Sequence, residues 1–522
     1  MNEFVQAVYY SLPWLFIAGL SLAAVAGIAL GLAWPRLLVY PYLAIYFCVN
    51  STSYGNMAIF ATRSIYSRGS GMLYFGLLLW YVLGAWACAR VAASFQGHAA
   101  PACNLRPWFL GWLALLAGHV CVATMLDIPV KEALSPQGFS NIVWMAPLVS
   151  LMLLSFRTRE HAIELGRFIL LVGLGRALFG LVRWAAFGGD PNNVYANLNA
   201  VQIRLTFFDI NDSLVCLLAF AIAAVHLFQH IPTERGCEKF PYGSVASPRR
   251  TSVLPSARRL APGFFSHPHR PRVWRAIEWV TLGATGLCIL LSYRRTAWIG
   301  FRLALLVVTL RFPVQRRLRL ALGGLPLVGA ALAYLAAQRL SQTRGAGGGL
   351  SSLVYDMQSR RFGPESERVL ELKLALSDIL AYPLTGIGSW GRYTGYQYIS
   401  WQNNLDGGLF VHSGLLHVAL KSGLPGTVLL CGTIGAFVLC ARRALATAPP
   451  ELLGLATAGV AGLAFMLPDF LLGTPFPQVR TTQMLAVCLA LPYVALAVAK
   501  TAPAVRLLVR PAAPHARLVG TP

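Results

Sequence analysis

Apolar runs of about twenty residues recur along the whole chain, and nothing constrains its fold more. A run of that length makes a helix of about 30 Å, which matches the hydrocarbon core of a bilayer. The sequence is 56% hydrophobic and only 12% charged over 522 residues. A water-soluble protein of this size cannot hide so much apolar surface, so lipid must be part of its solvent. The expected fold is an all-α polytopic membrane protein with about 12–13 transmembrane helices. One large extracytoplasmic loop is expected to carry a short amphipathic helix.

Spans are read near Leu12–Trp34, Leu37–Phe60, Gly71–Ser94, Trp108–Leu126, Ile142–Phe156, Arg167–Phe187 and Asp212–His230. They continue near Val273–Leu291, Thr296–Leu310, Leu318–Ala337, Leu424–Arg442, Leu453–Leu472 and Thr482–Lys500. The first run is read as a span rather than a cleaved leader, because Met1-Asn2-Glu3 carries no basic residue. Six regions follow: an N-terminal bundle (1–230), a basic cytoplasmic loop (231–272) and three spans with the tight arginine turn (273–337). A large periplasmic loop (338–423), the last spans (424–500) and a basic tail (501–522) complete the chain.

Net charge is +24. The positive residues gather in loops between spans, which reads as the positive-inside bias and contact with membrane lipids, and no nucleic-acid motif competes. Arg249, Arg250, Arg258, Arg259, Arg270 and Arg272 place the 231–272 loop in the cytoplasm. Counting spans from there puts the 338–423 loop on the outer face. The ten cysteines are scattered with no CxxC pair, so neither a disulfide framework nor a metal cluster is expected.

That orientation leaves Arg204, Arg294, Arg295, Arg344, Arg360, Arg361, Arg368 and Arg392 on the face that basic residues usually avoid. An anionic partner accounts for such placement, and a diphosphate fits the guanidinium fork. Solvation or local pairing accounts for many of them equally well. Ser292-Tyr293-Arg294-Arg295 is a tight turn that pins both arginines at the interface. From Pro364 an amphipathic helix begins, with Val369, Leu372, Leu376 and Ile379 at helical spacing. Arg368 on its polar face either binds phosphate or forms an i,i+3 pair with Glu371. Trp390, Tyr393 and Trp401 either stack on sugars or form an interfacial aromatic belt.

His412 precedes Ser413, which is placed to cap a helix starting at Gly414. A neutral imidazole there could accept a proton from a sugar hydroxyl, although a structural histidine fits the pattern too. Asp209 and Asp212 make only a weak metal pair, and a helix N-terminal cap at Asp209 or Asn211 is the favoured reading.

These residues resemble the bacterial O-antigen ligase and polysaccharide polymerase family. Ser292-Tyr293-Arg294-Arg295-Thr296-Ala297 is similar to its Ser-x-Arg turn, with Arg295 as the aligned arginine. Glu367-Arg368 through Pro383-Leu384-Thr385-Gly386-Ile387-Gly388 resembles its loop arginine, helix and glycine ending. His412-Ser413-Gly414 followed by Gly423-Leu424-Pro425-Gly426 resembles its histidine motif and exit, with Ser413 where Asn is common. The resemblance implies a glycosyltransferase in the bacterial inner membrane, its active site facing the periplasm. The donor would be a glycan on undecaprenyl pyrophosphate, and the acceptor lipid A core or a growing polysaccharide. No metal, nucleotide sugar or other cofactor would be required. His412 would be the catalytic base, with Arg295, Arg368, Arg294 and Arg204 on the pyrophosphate and Trp390, Tyr393 and Trp401 on the glycan. A flippase for lipid-linked oligosaccharide is the reading from another class; it predicts repeated halves, and none is visible.

Overall fold

The computed structural model describes residues 18–19, 21–49, 75–97, 101–191, 204–229, 271–340, 364–399 and 407–501. The loop 231–270, Arg344, Arg360, Arg361, Trp401 and the tail after 501 lie outside the described residues, as does the Arg295 side chain. Among the described residues the regular elements are helices, without strands. In chain order the principal helices are α1 (Ser21–Ala33), α2 (Pro35–Cys48), α3 (Leu77–Phe95), α4 (Arg106–Met125), α5 (Ser140–Ser155), α6 (Arg159–Ala186) and α7 (Ile210–Phe228). They continue as α8 (Pro271–Leu290), α9 (Arg295–Thr309), α10 (Val314–Leu340), α11 (Pro364–Ala381), α12 (Gly414–Thr447), α13 (Pro450–Leu472) and α14 (Val479–Thr501).

Among the described residues, each apolar run read from the sequence falls on one of these helices. Eight of them, α3, α4, α6, α7, α8, α12, α13 and α14, are long and apolar enough to cross a membrane unaided. The protein is a multi-pass membrane protein. α1 and α2 form a pair bent by 116° where Pro35 follows Trp34, so they count as at most one further span. The bend has a local cause, since proline disfavours helical backbone in the residue before it.

Burial sorts the helices into layers. In α7 and α14, 83% of the apolar window is buried, against 22% in α4, which puts the first two at the centre and α4 at the lipid-facing rim. Small residues allow the tightest crossings. A Cβ on Gly300 of α9 would lie 2.1 Å from the Phe465 carbonyl oxygen of α13, so only glycine permits this approach. α9 and α13 run antiparallel, and the crossing sets the start of α9 beside the end of α13.

The helix ends at one face are tied together by a buried charge network. Arg480, at the start of α14, is fully buried. Its guanidinium donates to Asp209 at 2.8 Å, to Asp212 at 2.6 Å and to the Tyr46 and Phe47 carbonyls that end α2. Arg176 of α6 donates to the same Asp212 oxygen at 3.0 Å. Asp209 also caps α7, accepting the Asn211 N–H at 2.9 Å, as the sequence leads one to expect. At the opposite face Arg36, Arg311 and Arg316 hold other helix ends: Arg36 pairs with His161, while Arg311 and Arg316 donate to the Leu445 and Phe228 carbonyls.

Replacing Arg480 with methionine strands Asp209 and half of Asp212's partners in the interior. Removing one member of a buried ion pair costs about 3–5 kcal/mol. The expected result for Arg480→Met is a clear fall in the thermal midpoint of the detergent-purified protein; an unchanged midpoint would show that the network is not a brace.

Candidate active site

The turn between α8 and α9 is built from an unusual backbone. Ser292 is buried, and its hydroxyl donates to the Ile289 carbonyl at 2.7 Å. Tyr293 follows at φ 53°, a left-handed conformation that is uncommon for a bulky side chain. Burial, and then Tyr334 nearby, pushes the Tyr293 phenol up to about 12, so it stays neutral. Arg294 then stands at the N-cap of α9. It donates to the Phe208 carbonyl and lies 5.2 Å over the Phe208 ring. Phe208 immediately precedes Asp209, so the Arg480 network fixes the strut on which Arg294 rests.

α11 presents its other face from the one its apolar spacing predicts. Glu371, Ala375 and Asp378 are buried, at i, i+4 and i+7 on one side. Val369 and Leu376 are exposed instead, while Leu372 and Ile379 flank the buried stripe. The inward stripe of this helix is therefore acidic. Glu371 does not pair with exposed Arg368; it turns inward to His412. The Glu371 Oε2 atom lies 3.0 Å from His412 Nδ1, with the carboxylate wholly buried and the imidazole partly open. A carboxylate only accepts, so Nδ1 carries the proton and Nε2 keeps the lone pair.

His412 itself is held by the start of α12. Ser413 caps that helix, accepting the Leu416 N–H at 3.4 Å, and Phe410 packs edge-on to the imidazole at 5.5 Å. The first segment of α12 ends at Gly423, where the backbone leaves helical geometry at φ 58°, and a second segment follows to Thr447. The kink is where the two glycine motifs meet. Ile387 donates to the Leu420 carbonyl and Leu424 to the Pro383 carbonyl, both at 2.8 Å. Gly386, at φ 65°, crosses so closely that a Cβ would lie 2.6 Å from the Leu420 oxygen. This crossing pins the end of α11 to α12 and sets Glu371 opposite His412.

Asp469, near the end of α13, draws the parts together. It is buried, and its carboxylate sits in the combined field of Arg294, Asp209, His412 and Arg368. A side chain on Gly473 would strike it, at 2.2 Å from Oδ1. Arg294 of the turn, Arg368 of α11 and His412 at the head of α12 thus all act on the same buried carboxylate, with Arg294 as the described guanidinium of the turn. Arg204 is exposed; its carbonyl accepts from the Trp184 indole at 3.1 Å, and Thr206, two residues on, donates to the Leu291 carbonyl beside the turn at 3.1 Å.

The aromatics divide. Trp390 is half-buried and lines a cavity. Tyr393 corrects the sequence reading, because its ring is fully buried among Ala375, Ile399, Val411 and Leu420 and offers no face to a glycan. Burial and the Glu371 charge hold its phenol well above the usual range. Asp469 and the inward role of Glu371 were missed from sequence. A lone acid inside an apolar span was the available signal for Asp469.

The class so defined is a multi-pass, all-α membrane protein whose site sets a carboxylate-backed imidazole beside arginines at one membrane face. Residues 280–431, which hold the turn, α11 and His412, match the family model described as O-Antigen ligase. No curated protein matches the chain.

Gly386→Ala tests the crossing that aligns α11. It is expected to release the segment after α11 and to speed cleavage between 382 and 399 in limited proteolysis; an unaltered digestion pattern would contradict the close approach.

Proposed function

We propose that the protein is a glycosyltransferase that moves a glycan from a polyprenyl-diphosphate carrier to a sugar hydroxyl at the periplasmic face of the inner membrane. The observation that carries this reading is the contact between His412 Nδ1 and buried Glu371, with His412, Arg294 and Arg368 all acting on the buried Asp469. The family match supports glycan transfer. Arginines at the opposite helix ends, Arg36, Arg311 and Arg316 among them, support a cytoplasmic assignment for that face.

In this mechanism the acceptor oxygen attacks the anomeric carbon of the donor sugar. Its proton passes to His412 Nε2. The bond from the anomeric carbon to the diphosphate oxygen breaks, and the electron pair leaves with the diphosphate. Arg294, Arg295 and Arg368 stabilise the charge that develops there, each charge-assisted contact contributing about 1.5–3 kcal/mol. Glu371 holds the imidazole in the required tautomer and offsets the positive charge it gains. A positioned base of this kind typically contributes about 10²–10⁴-fold. The acceptor is lipid A core or a growing polysaccharide, and the guanidinium groups do the charge neutralisation that a divalent cation performs in other transferases.

His412→Ala is expected to abolish glycan transfer by the purified protein while leaving its yield and thermal midpoint intact; retained transfer would remove the base. Glu371→Gln is expected to lower kcat by about 10²-fold or more with little change in donor KM. Transfer in detergent, with no membrane to cross, is itself expected and would exclude a flippase. Adding a chelator is expected to leave the rate unchanged, whereas loss of activity restored by a divalent cation would overturn the metal-independent scheme.

A further inference from the structure

Residues 204–208 form a connector that passes the ends of α6 and α8 before α7 begins. Trp184 of α6 donates its indole N–H to the Arg204 carbonyl at 3.1 Å. The peptide between Leu205 and Thr206 is held on both edges. Its N–H goes to the Leu291 carbonyl at 3.1 Å, and its oxygen accepts the Asp190 N–H at 2.8 Å. Thr206 is fully buried, and its hydroxyl donates to the Cys288 carbonyl of α8 at 2.8 Å. Arg183 of α6 donates to the Thr206 carbonyl and lies 4.9 Å over the Phe207 ring. Gly189, at φ 95°, lets the chain that leaves α6 come alongside: a Cβ there would lie 2.8 Å from the Leu205 oxygen.

At the end of this connector one residue is gripped from two directions. Asp190 is buried, and its Oδ2 atom accepts the Phe208 N–H at 2.8 Å. The same oxygen lies 3.1 Å from the Arg183 guanidinium, a charge-assisted contact that fixes the carboxylate. The Phe208 carbonyl accepts from Arg294, and the Phe208 ring lies 5.2 Å from that guanidinium. Among the described residues this carbonyl is the hydrogen-bond partner of Arg294, which leaves most of its N–H groups for a ligand. An arginine side chain turns about several bonds. Its fork binds an anion tightly only where something has already restricted it.

We infer that Asp190 is a positioning residue for Arg294 and that it acts through Phe208. By holding the Phe208 N–H it fixes the carbonyl and the ring against which the guanidinium rests. Arg294 is thereby set in advance for the donor's diphosphate. Arg480 holds Asp209, the next residue, so Phe208 is braced before and after. The use of Arg294 on a diphosphate rests on the transferase reading; the mechanical link from Asp190 to Arg294 does not. An ion pair with Arg183 that only stabilised the fold would make different predictions, since the identity of residue 190 would then act independently of residue 294.

The test is a double-mutant cycle on the detergent-purified full chain, read by binding of undecaprenyl diphosphate. Asp190→Ala is expected to weaken binding about tenfold, and Arg294→Ala at least as much. Adding Asp190→Ala to Arg294→Ala is expected to change affinity by less than about twofold, because the group it positions is gone. Asp190→Asn keeps an oxygen for the Phe208 N–H and is expected to recover most of the affinity. Asp190→Leu fills the space without an acceptor and replaces the alanine variant in the cycle if that variant does not fold. In the transfer assay Asp190→Ala is expected to raise donor KM while acceptor KM holds. A tenfold loss in both backgrounds, an asparagine variant as weak as alanine, or wild-type protein that does not bind the probe would overturn the proposal. The expected binding pattern in a wild-type protein that transfers nothing would instead remove the transferase reading and leave Arg294 positioned for a diphosphate.

Discussion

The Arg480 guanidinium is the interaction on which the site depends. Four groups of two kinds meet it: the Asp209 and Asp212 carboxylates and the Tyr46 and Phe47 carbonyls. Each suits its place. Aspartates belong at the start of α7, where the helix dipole is positive, and a guanidinium at the end of α2, where backbone carbonyls are left without partners. An apolar plug of the same volume could fill the space at lower desolvation cost. It could not gather helix ends in a fixed register, and it could not hold the Phe208 carbonyl that Arg294 uses.

The balance of charge around Asp469 follows from that rigidity. Arg294, Arg368 and His412 lie in the field of Asp469, and Glu371 backs the imidazole from inside. Without an anionic ligand the cations share these two carboxylates. A diphosphate brings more negative charge than Asp469 and presents several oxygens, so it competes for the guanidinium groups without displacing the Glu371–His412 contact. In the proposed mechanism guanidinium and imidazole have separate tasks, one set toward the leaving group and the other toward the proton. Pre-set charges of this kind need little reorganisation as the reaction proceeds.

Much of this was legible from residue order. Apolar run length located the helices, Asp209 and Ser413 were placed as caps, and His412 fell at the head of a helix. The failures share one cause. Helical spacing tells which residues lie on a common face, but not whether that face turns toward protein or toward lipid. On α11 the usual rule inverts: Val369 and Leu376 face outward while Glu371 and Asp378 turn inward. A polar stripe in a membrane protein has its partners inside the bundle, because lipid offers none. Reading Glu371 as an ion pair with Arg368 followed the rule for helices in water. Tyr393 failed likewise, since no local pattern separates an aromatic that plugs a small core from one that faces a ligand.

The glycines of the loop were legible as motifs but not as mechanics. Gly386 and Gly423 both hold positive φ, and each would collide with the other's strand of chain if it carried a Cβ. Their crossing forces α12 to kink after a short first segment, so His412 at its head is aimed by a joint some ten residues away rather than by its own neighbours. The same joint forms the floor of the cavity that Trp390 lines, through Gly386, Ser422 and Pro425. A single backbone crossing thus sets the imidazole against Glu371 and shapes the adjoining hollow. Any change that loosens it must disturb the Glu371–His412 contact and the shape of that cavity together, which separates it from changes at the arginine turn.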